Sequence, residues 1–294
     1  MKIFVTGATG WIGSHLTPLL LENGHTILAL ARSDSSASPI PFLPHMLPGL
    51  IIDLALEDTD ILAKAAADAD AVVHLAYNND FTQCAESALV DVAAINAMAT
   101  ALIGTNKPLV ITSIIPISSL LSYPAASRFG SEKALSQYTS QSVRTCVIRL
   151  PLVVHGSGDF FGIVGDVVRS VRVNEVGAWA GDGENKWSTV EVKEVAELYR
   201  LVLESDTLEA GIVLDGLADQ VPFRDIVTVI SNRLEVPTKS IEEKKMVEYY
   251  QWPLGQVTGY AAEGNNELTK ELTGWEVKGR GLLDDLQYSQ TYFK

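Results

Sequence analysis

Short apolar runs alternate with amphipathic segments along the first half of the chain. Consecutive Val, Ile and Leu residues make these runs typical of strands that are buried on both faces of a sheet. The predicted strands lie at 3–5, 26–31, 50–52, 71–75, 109–112 and 145–150. Helical apolar spacing follows at 12–20, 58–69, 85–104 and 127–141. Strands that alternate with helices in this way predict an α/β fold with a doubly wound parallel sheet.

The pattern changes after residue 155, where short helices separated by Pro and Gly predominate. Helices are predicted at 160–173, 189–203, 222–234, 241–250, 267–272 and 281–287, with one more strand at 211–214. The amphipathic segment from 189 and the strand at 211–214 are expected to return to the sheet. We therefore expect a sheet domain at 1–155 with 188–215, and a smaller C-terminal substrate lobe at 156–187 with 216–294. A substrate cleft is expected between them.

The first strand leads directly into a glycine-rich turn, TGATGWIG at 6–13, and then into a helix. Gly7 can make the tight turn, Gly10 lets backbone amides approach a pyrophosphate, and Gly13 lets the helix lie close to the sheet. Strand, turn and helix in this order are typical of a dinucleotide-binding Rossmann-type domain. The alternative is a glycine-rich turn without a ligand. The cofactor-binding residues predicted here are Gly7, Thr9, Gly10, Trp11, Ile12 and Gly13.

The end of the second strand indicates which dinucleotide is bound. A carboxylate there would bind the ribose hydroxyls of NAD, but this chain has Arg32 and Ser33. A guanidinium suits a 2′-phosphate, so NADP is predicted in preference to NAD. Asp34 as a displaced ribose ligand is the alternative. Asp53 and Leu54 end the third strand, where a carboxylate either reaches the adenine amino group or caps the next helix.

Composition excludes several classes of partner. The 294 residues carry a net charge of −14 without a basic cluster, which argues against nucleic acid and anionic membranes. Two cysteines, Cys84 and Cys146, give neither a disulfide framework nor metal-ligand spacing. The first strand begins at residue 2 or 3 and leaves no room for a signal peptide, and no apolar run reaches spanning length. A cytoplasmic protein that binds a small-molecule substrate is expected.

Several segments together resemble the extended short-chain dehydrogenases/reductases, the group of nucleotide-sugar epimerases and dehydratases. The resemblance rests on TGATGWIG (6–13), DL (53–54), HLA (74–76), TS (112–113), RLPLVVHG (149–156) and LTKELTGW (268–275), and it covers essentially the full chain. It implies an NAD(P)-dependent activity and a homodimer formed through the helices at 85–104 and 128–141. It adds Leu75, Ala76, Thr112, Pro151 and Val153 to the cofactor site.

The catalytic helix departs from the pattern of this group, Y-x-x-S-K-x-A, in which tyrosine exchanges the proton and lysine lowers its pKa. The matching stretch is RFGSEKA at 128–134, which places Arg128 at the tyrosine position and Glu132 at the lysine position. The chain therefore resembles an atypical branch that lacks the Tyr–Lys pair. In one interpretation Arg128 binds an anionic substrate or the nicotinamide ribose while Glu132 orients it. In the other the two form a surface ion pair one helical turn apart.

Other residues must then supply the proton. Ser113, at the end of the fifth strand, is the first choice for polarising a carbonyl. Tyr77 and His155 follow other strands at the same sheet edge, and each is either a proton donor or a residue that merely lines the cleft. His74 is interpreted as a packed core histidine. Trp179 and Trp187 either wall an apolar substrate pocket or belong to the core of the lobe.

These observations predict an NADP(H)-dependent oxidoreductase that acts on a small carbonyl or hydroxyl compound through Ser113, Arg128, Tyr77 and His155. No metal site is predicted. Two alternatives remain open. The missing Tyr–Lys pair would suit a non-catalytic NADP-binding regulator or scaffold, and the group resemblance would suit an epimerase or dehydratase with a tightly held cofactor.

Overall fold

The computed structural model describes residues 1–31, 52–53, 56–117, 128–159, 162–251 and 253–293. The predictions for Arg32, Ser33 and Leu54 lie outside these residues. The strands of the described part are β1 (Lys2–Thr6), β2 (Thr26–Ala31), β3 (Ile52–Asp53), β4 (Ala71–His74), β5 (Pro108–Ile114), β6 (Arg144–Leu150), β7 (Val153–His155), β8 (Gly177–Ala180), β9 (Lys186–Glu191), β10 (Ile212–Asp215), β11 (Asp219–Pro222) and β12 (Thr238–Ile241).

The α-helices of the same residues lie between these strands and after them. They are α1 (Gly13–Glu22), α2 (Thr59–Asp68), α3 (Cys84–Ala101), α4 (Arg128–Ser136), α5 (Ile163–Asn174), α6 (Val192–Glu204), α7 (Phe223–Leu234), α8 (Met246–Tyr250), α9 (Glu267–Thr273) and α10 (Leu282–Tyr288).

Seven strands form one parallel sheet in the order β10-β6-β5-β4-β1-β2-β3. The order reverses at β1, so the first half of the chain builds outward to β3 and the second half builds outward to β10. This is the doubly wound Rossmann-type α/β fold that the alternating pattern predicts, and the return of β10 to the sheet is confirmed. Ligands of such sheets bind beyond the carboxyl ends of the strands, where the order reverses.

Two helical layers cover the sheet because its strands are apolar on both faces. Ile3 and Val5 on β1 pack with α1 and α6 on one side. Phe4, between them, packs with α2, α3 and α4 on the other. This alternation is the period of two that a strand imposes on its side chains. It also determines the side of the sheet to which a polar residue at a strand end points.

A smaller lobe is built on the strands β11-β9-β7 and on the pair β12-β8. Its core contains Trp187 and Phe223, whose ring centroids lie 4.6 Å apart. Trp187 is fully buried and Trp179 packs against the same core, so both tryptophans belong to the interior of the lobe. The predicted helix at 241–250 is α-helical only over Met246–Tyr250. Ile241 ends β12, which pairs with β8, and Glu243–Lys245 forms a 3-10 helix.

The two parts of the molecule are joined through β7 and β9. The predicted division at 155/156 and 187/188 assigns β7 and most of β9 to the sheet domain, whereas they pair with each other in the small sheet. Trp275, near the end of the chain, is buried with the α1–α6 side of the large sheet. The division into a sheet domain and a substrate lobe stays a prediction.

Helix α3 is long and apolar enough to cross a bilayer by length and composition alone, and among the described helices only α3 is. It packs between α2 and α4 against the sheet, and core helices of soluble proteins meet the same two criteria. Its composition is therefore weak evidence for a membrane span.

Candidate cofactor and active site

Gly7 and Gly13 lie at positions of the glycine-rich turn where a side chain would collide with the backbone. Gly7 adopts a φ of +71°, and a Cβ on it would lie 2.7 Å from the backbone nitrogen of Ala76. A Cβ on Gly13 would collide with the carbonyl oxygen of Gly7. The turn therefore keeps bare backbone amides at the start of α1, beside the end of β4. This geometry fits the pyrophosphate of a dinucleotide.

Trp11 joins this turn to the small lobe. Its indole Nε1 donates a hydrogen bond of 2.9 Å to the carbonyl oxygen of Val154 on β7. The indole ring lies beside Gly156, where a Cβ would approach it to 3.5 Å. Thr9 and Ile12 are half-buried in the same turn. The turn and the strand after β6 are thus held in contact, which places the lobe next to the predicted cofactor site.

The other predicted cofactor residues follow neighbouring strands at the same sheet edge. Leu75 and Ala76 directly follow β4, and their backbone nitrogens donate to the carbonyl oxygen and to Oγ1 of Thr6, at 3.2 and 3.3 Å. Thr112 Oγ1 donates to the carbonyl oxygen of His74 at 3.0 Å and lies 2.7 Å from the Tyr199 hydroxyl. The hydroxyl of Thr112 thus has hydrogen-bond partners within the protein.

Three further residues, Pro151, Val153 and Asp53, are also predicted to bind the cofactor. Pro151 and Val153 are buried, and Val153 packs into the core of the lobe. Asp53 ends β3 as predicted, and its side chain lies outside what the structure describes. The contacts of all these residues with a cofactor stay predictions.

A buried polar network runs from β1 to helix α4. His74, interpreted from the sequence as a core residue, is indeed buried, with its Nδ1 2.7 Å from Thr6 Oγ1 and its Nε2 3.0 Å from Asp91 Oδ1. The other oxygen of Asp91 accepts a short hydrogen bond from Ser131 on α4. The network therefore links the strand before the glycine turn with helices α3 and α4.

Asp91 is the charged centre of this network. Burial raises the pKa of its carboxyl, but the hydrogen bond and charge of His74, the charge of Arg128 and the hydrogen bond from Ser131 outweigh burial and lower the pKa below its ordinary value. Asp91 is not among the site residues predicted from the sequence. A signal was present, since Asp91 shares one helix face with Ser87, Ala94 and Ile95, all of which are buried.

Arg128 lies at the sheet edge rather than on the surface. Its guanidinium carbon is 3.5 Å from the centroid of the Tyr77 ring, and its Nη1 donates to the carbonyl oxygen of Thr112 at 3.4 Å. Asp91 Oδ2 is 4.0 Å from the same Nη1, and the side chain is 13% exposed. Burial lowers the pKa of Arg128, while the charges of Asp91, Tyr77 and Tyr199 counteract it. The structure thus brings together two of the four predicted catalytic residues, Arg128 and Tyr77.

The predicted ion pair between Arg128 and Glu132 is wrong. Glu132 instead accepts two hydrogen bonds from Arg149, at 2.9 and 2.7 Å. Arg149 is the second-last residue of β6, and α4 packs along that strand, so its guanidinium reaches Glu132 with the geometry of a bidentate pair. Arg128 is consequently not oriented by Glu132, and its carboxylate neighbour is Asp91.

Ser113 is fully buried, and its Oγ has no hydrogen-bond partner among the described residues. Leu109 and Ile111, which precede it at alternate positions on β5, pack into the α2–α4 side. Ser113 therefore points to that side too, because side chains alternate along a strand. Its role in polarising a carbonyl stays a prediction.

His155 lies in a different cluster, in the small lobe. It ends β7, is buried, and has its Nδ1 3.1 Å from Asp285 Oδ2. Nearby, the Tyr292 hydroxyl donates to Asp159 Oδ2 at 2.9 Å. Burial raises the pKa of Asp159, and the hydrogen bond from Tyr292 only partly offsets it. His155 is thus held by the C-terminal segment, apart from the Arg128–Tyr77 pair.

Within the described ranges, no group of three His, Cys, Asp or Glu residues could hold a metal ion. Among the described residues, the groups at the sheet edge include the Tyr77 phenol, the Arg128 guanidinium and the backbone amides of the glycine turn.

Comparisons with known proteins match the first part of the chain to a family and the whole chain to a relative. Residues 3–103 match the NAD dependent epimerase/dehydratase family. The uncharacterized protein C2A9.02 of Schizosaccharomyces pombe is 32% identical over 307 aligned residues, which cover 100% of both chains. The sterol-4-alpha-carboxylate 3-dehydrogenase, decarboxylating, of Dictyostelium discoideum is 28% identical over 252 residues, 77% of this chain and 74% of its own.

Among solved structures, the UDP-glucuronic acid 4-epimerase of Bacillus cereus, in complex with UDP-glucuronic acid and NAD, is similar with a TM-score of 0.76. The two chains share 18% identity over 100% of this chain and 98% of the epimerase, which shows the fold. With the glycine turn, the sheet order and the full-length relative, the chain belongs to the NAD dependent epimerase/dehydratase family of extended short-chain dehydrogenases/reductases.

Proposed function

We propose that this protein is an NADP(H)-dependent oxidoreductase that acts on a small carbonyl or hydroxyl compound. Its family supports a nicotinamide cofactor and an enzyme of oxidoreductase or epimerase type. The observation that carries the proposal is the position of the Tyr77 ring and the Arg128 guanidinium, which lie together just after the strand whose end closes the glycine turn. The name of the Dictyostelium relative, a 3-dehydrogenase, favours redox chemistry over epimerisation.

The preference for NADP rests on Arg32. It follows β2 directly in the sequence, and β2 is the sheet neighbour of β1, which leads into the glycine turn. A guanidinium at this point pairs with a 2′-phosphate, whereas the ribose hydroxyls of NAD call for a carboxylate. We expect Arg32→Ala to weaken NADP+ binding at least tenfold and to leave NAD+ binding unchanged.

The reduction consumes one carbonyl, one NADPH and one proton, and yields an alcohol and NADP+. The bound cofactor would supply the hydride from its nicotinamide ring. Tyr77 follows β4 closely in the chain and contacts the Arg128 guanidinium, so we assign to its hydroxyl the proton that the carbonyl oxygen receives. Arg128 holds the substrate next to it. Ser113 and His155 are assigned weaker roles because Ser113 is fully buried and His155 is held by Asp285.

The test is steady-state oxidation of NADPH and NADH with a panel of aldehydes, ketones and oxo acids. Turnover that prefers NADPH and falls at least a hundredfold in Tyr77→Phe supports the proposal. Tyr138→Phe is the matched control, since this tyrosine lies beyond the carboxyl end of α4 and bonds to Asn96. Tight NADP+ binding in calorimetry without turnover of any substrate would instead indicate a regulatory or scaffold protein.

A further inference from the structure

The Arg128 guanidinium has more donors than acceptors around it. It carries five N–H groups, and among the described residues one acceptor is within hydrogen-bond distance, the Thr112 carbonyl oxygen at 3.4 Å. Asp91 is 4.0 Å away, and its two oxygens already accept from His74 and Ser131. A guanidinium that is 13% exposed is costly to bury when its donors stay unpaired. A further acceptor at this position would remove that cost.

The contact with Tyr77 defines what kind of acceptor fits. The guanidinium lies over the ring at 3.5 Å, so its orientation is fixed before any ligand arrives. A planar guanidinium presents two parallel N–H groups, and a carboxylate accepts both at once. A carbonyl or hydroxyl oxygen accepts singly and gains less from this geometry. The pre-oriented guanidinium therefore favours a carboxylate.

We propose that Arg128 binds a carboxylate on the substrate, so that the substrate class is oxo acids and hydroxy acids. This rests on the proposed function, because it deepens the role of the same site. Arg128 holds the carboxylate, and Tyr77, stacked beneath the guanidinium, faces the carbon that changes oxidation state. The protein as a whole has a net charge of −14 and repels such an anion. Affinity for an acid must therefore come from a local cation, and Arg128 supplies it.

Binding can be measured without turnover. The full-length protein, saturated with NADP+, is titrated calorimetrically with pyruvate, acetoacetate and levulinate and with the methyl ester of each. The three acids separate the carboxylate from the ketone by increasing distances, and each ester keeps the ketone while removing the charge. We expect at least one acid to bind tenfold or more tightly than its ester. Arg128→Gln should abolish that preference, with a loss of about 30- to 100-fold in affinity for the acid.

Two variants make the result specific. Lys133→Gln removes the same charge from an exposed residue of α4 and should leave the preference intact. Arg128→Lys keeps the charge without the parallel N–H groups and should weaken acid binding about tenfold, so the proposal stays testable if Arg128→Gln does not fold. Thermal unfolding and NADP+ affinity of each variant check its integrity.

The outcomes are distinct. Acids that bind no better than their esters, or a preference that survives in Arg128→Gln, would overturn the proposal. A loss of NADP+ affinity in Arg128→Gln equal to its loss of acid affinity would also overturn it, since Arg128 would then serve the nicotinamide ribose. NADPH oxidation is scored separately. Reduction of esters and acids alike supports only the proposed function, and acid binding through Arg128 without any reduction supports only this inference.

Discussion

The imidazole of His74 and the carboxylate of Asp91 are joined by a hydrogen bond of 3.0 Å, although one lies on β4 and the other on α3. Both side chains are almost completely buried. Because Asp91 also accepts from Ser131, the pair fixes α4 against the sheet, and with it the position of Arg128. Helix α4 is therefore positioned by a buried charge.

Removing that charge should destabilise the protein. Asp91→Asn keeps the size of the side chain but leaves the buried guanidinium of Arg128 without its nearest carboxylate. We expect the free energy of unfolding to fall by about 2–4 kcal/mol, as is typical when one partner of a buried ion pair is removed. Urea unfolding monitored by circular dichroism measures it.

The matched control is Asp166→Asn on α5. Asp166 is paired with Arg169, and both side chains are about half exposed. Exposed pairs contribute about 0–1 kcal/mol. Equal losses of unfolding free energy in the two variants would show that Asp91 stabilises the fold no more than an exposed carboxylate does, which would contradict its assigned role in the buried network.

The stability that Asp91 confers should depend on pH. Its pKa is lowered in the folded state, and an aspartate in an unfolded chain titrates near about 3.9. A group of this kind stabilises the fold above the unfolded pKa, and its contribution is lost as pH falls through the folded pKa. The difference in unfolding free energy between the wild type and Asp91→Asn should thus shrink below about pH 4. Urea titrations from pH 2.5 to 6, in steps of about half a unit, test this; a difference that is constant with pH would refute it.

The pairing of Glu132 with Arg149 predicts a specific energetic coupling. Both residues are partly buried, with side-chain exposures of 14% and 28%, and their contact is bidentate. A double-mutant cycle with Glu132→Gln and Arg149→Gln should give a coupling energy of about 1 kcal/mol. The corresponding cycle between Glu132 and Arg128 should give less than about 0.5 kcal/mol. Coupling in the second cycle rather than the first would support an ion pair between Arg128 and Glu132 and contradict the pairing with Arg149.

The large sheet could be predicted because its information is local. The runs at β1, β2, β4 and β6 are each apolar on consecutive positions, and each is followed by a turn or a helix. The small lobe lacks such signals. Its β8 and β12 are four residues each and exist because they pair with each other across a long stretch of chain. The α-helix predicted from residue 241 therefore begins too early: Ile241 ends β12, and the polar segment Glu243–Lys245 is a 3-10 helix.

The candidate site also combines features that are local in the sequence with contacts that are not. The glycine turn could be predicted because its residues are consecutive in the sequence, and the stretch RFGSEKA that suggested a role for Arg128 is consecutive too. The partners of Arg128 are not, because Tyr77, Asp91 and Thr112 come from three other elements. The rule of one helical turn favoured Glu132 as the partner. In the structure Glu132 pairs with Arg149 instead, because β6 runs beside α4.

Gly7 and Gly24 provide a matched pair for testing the cofactor turn. Both have a positive φ, +71° and +80°, but a Cβ on Gly24 would meet nothing within 4 Å, whereas a Cβ on Gly7 would lie 2.7 Å from the Ala76 nitrogen. Gly24→Ala should therefore cost only the left-handed strain of about 1–2 kcal/mol and leave NADP+ affinity unchanged.

Gly7→Ala carries the same strain and must also displace the backbone after β4. We expect it to cost at least about 2 kcal/mol more than Gly24→Ala, since interiors do not relax freely around an added methyl group. NADP+ affinity, measured by calorimetry, should fall at least tenfold because the amides of the turn move with the backbone. Equal losses of stability, with unchanged NADP+ affinity in both variants, would place the dinucleotide somewhere other than this turn.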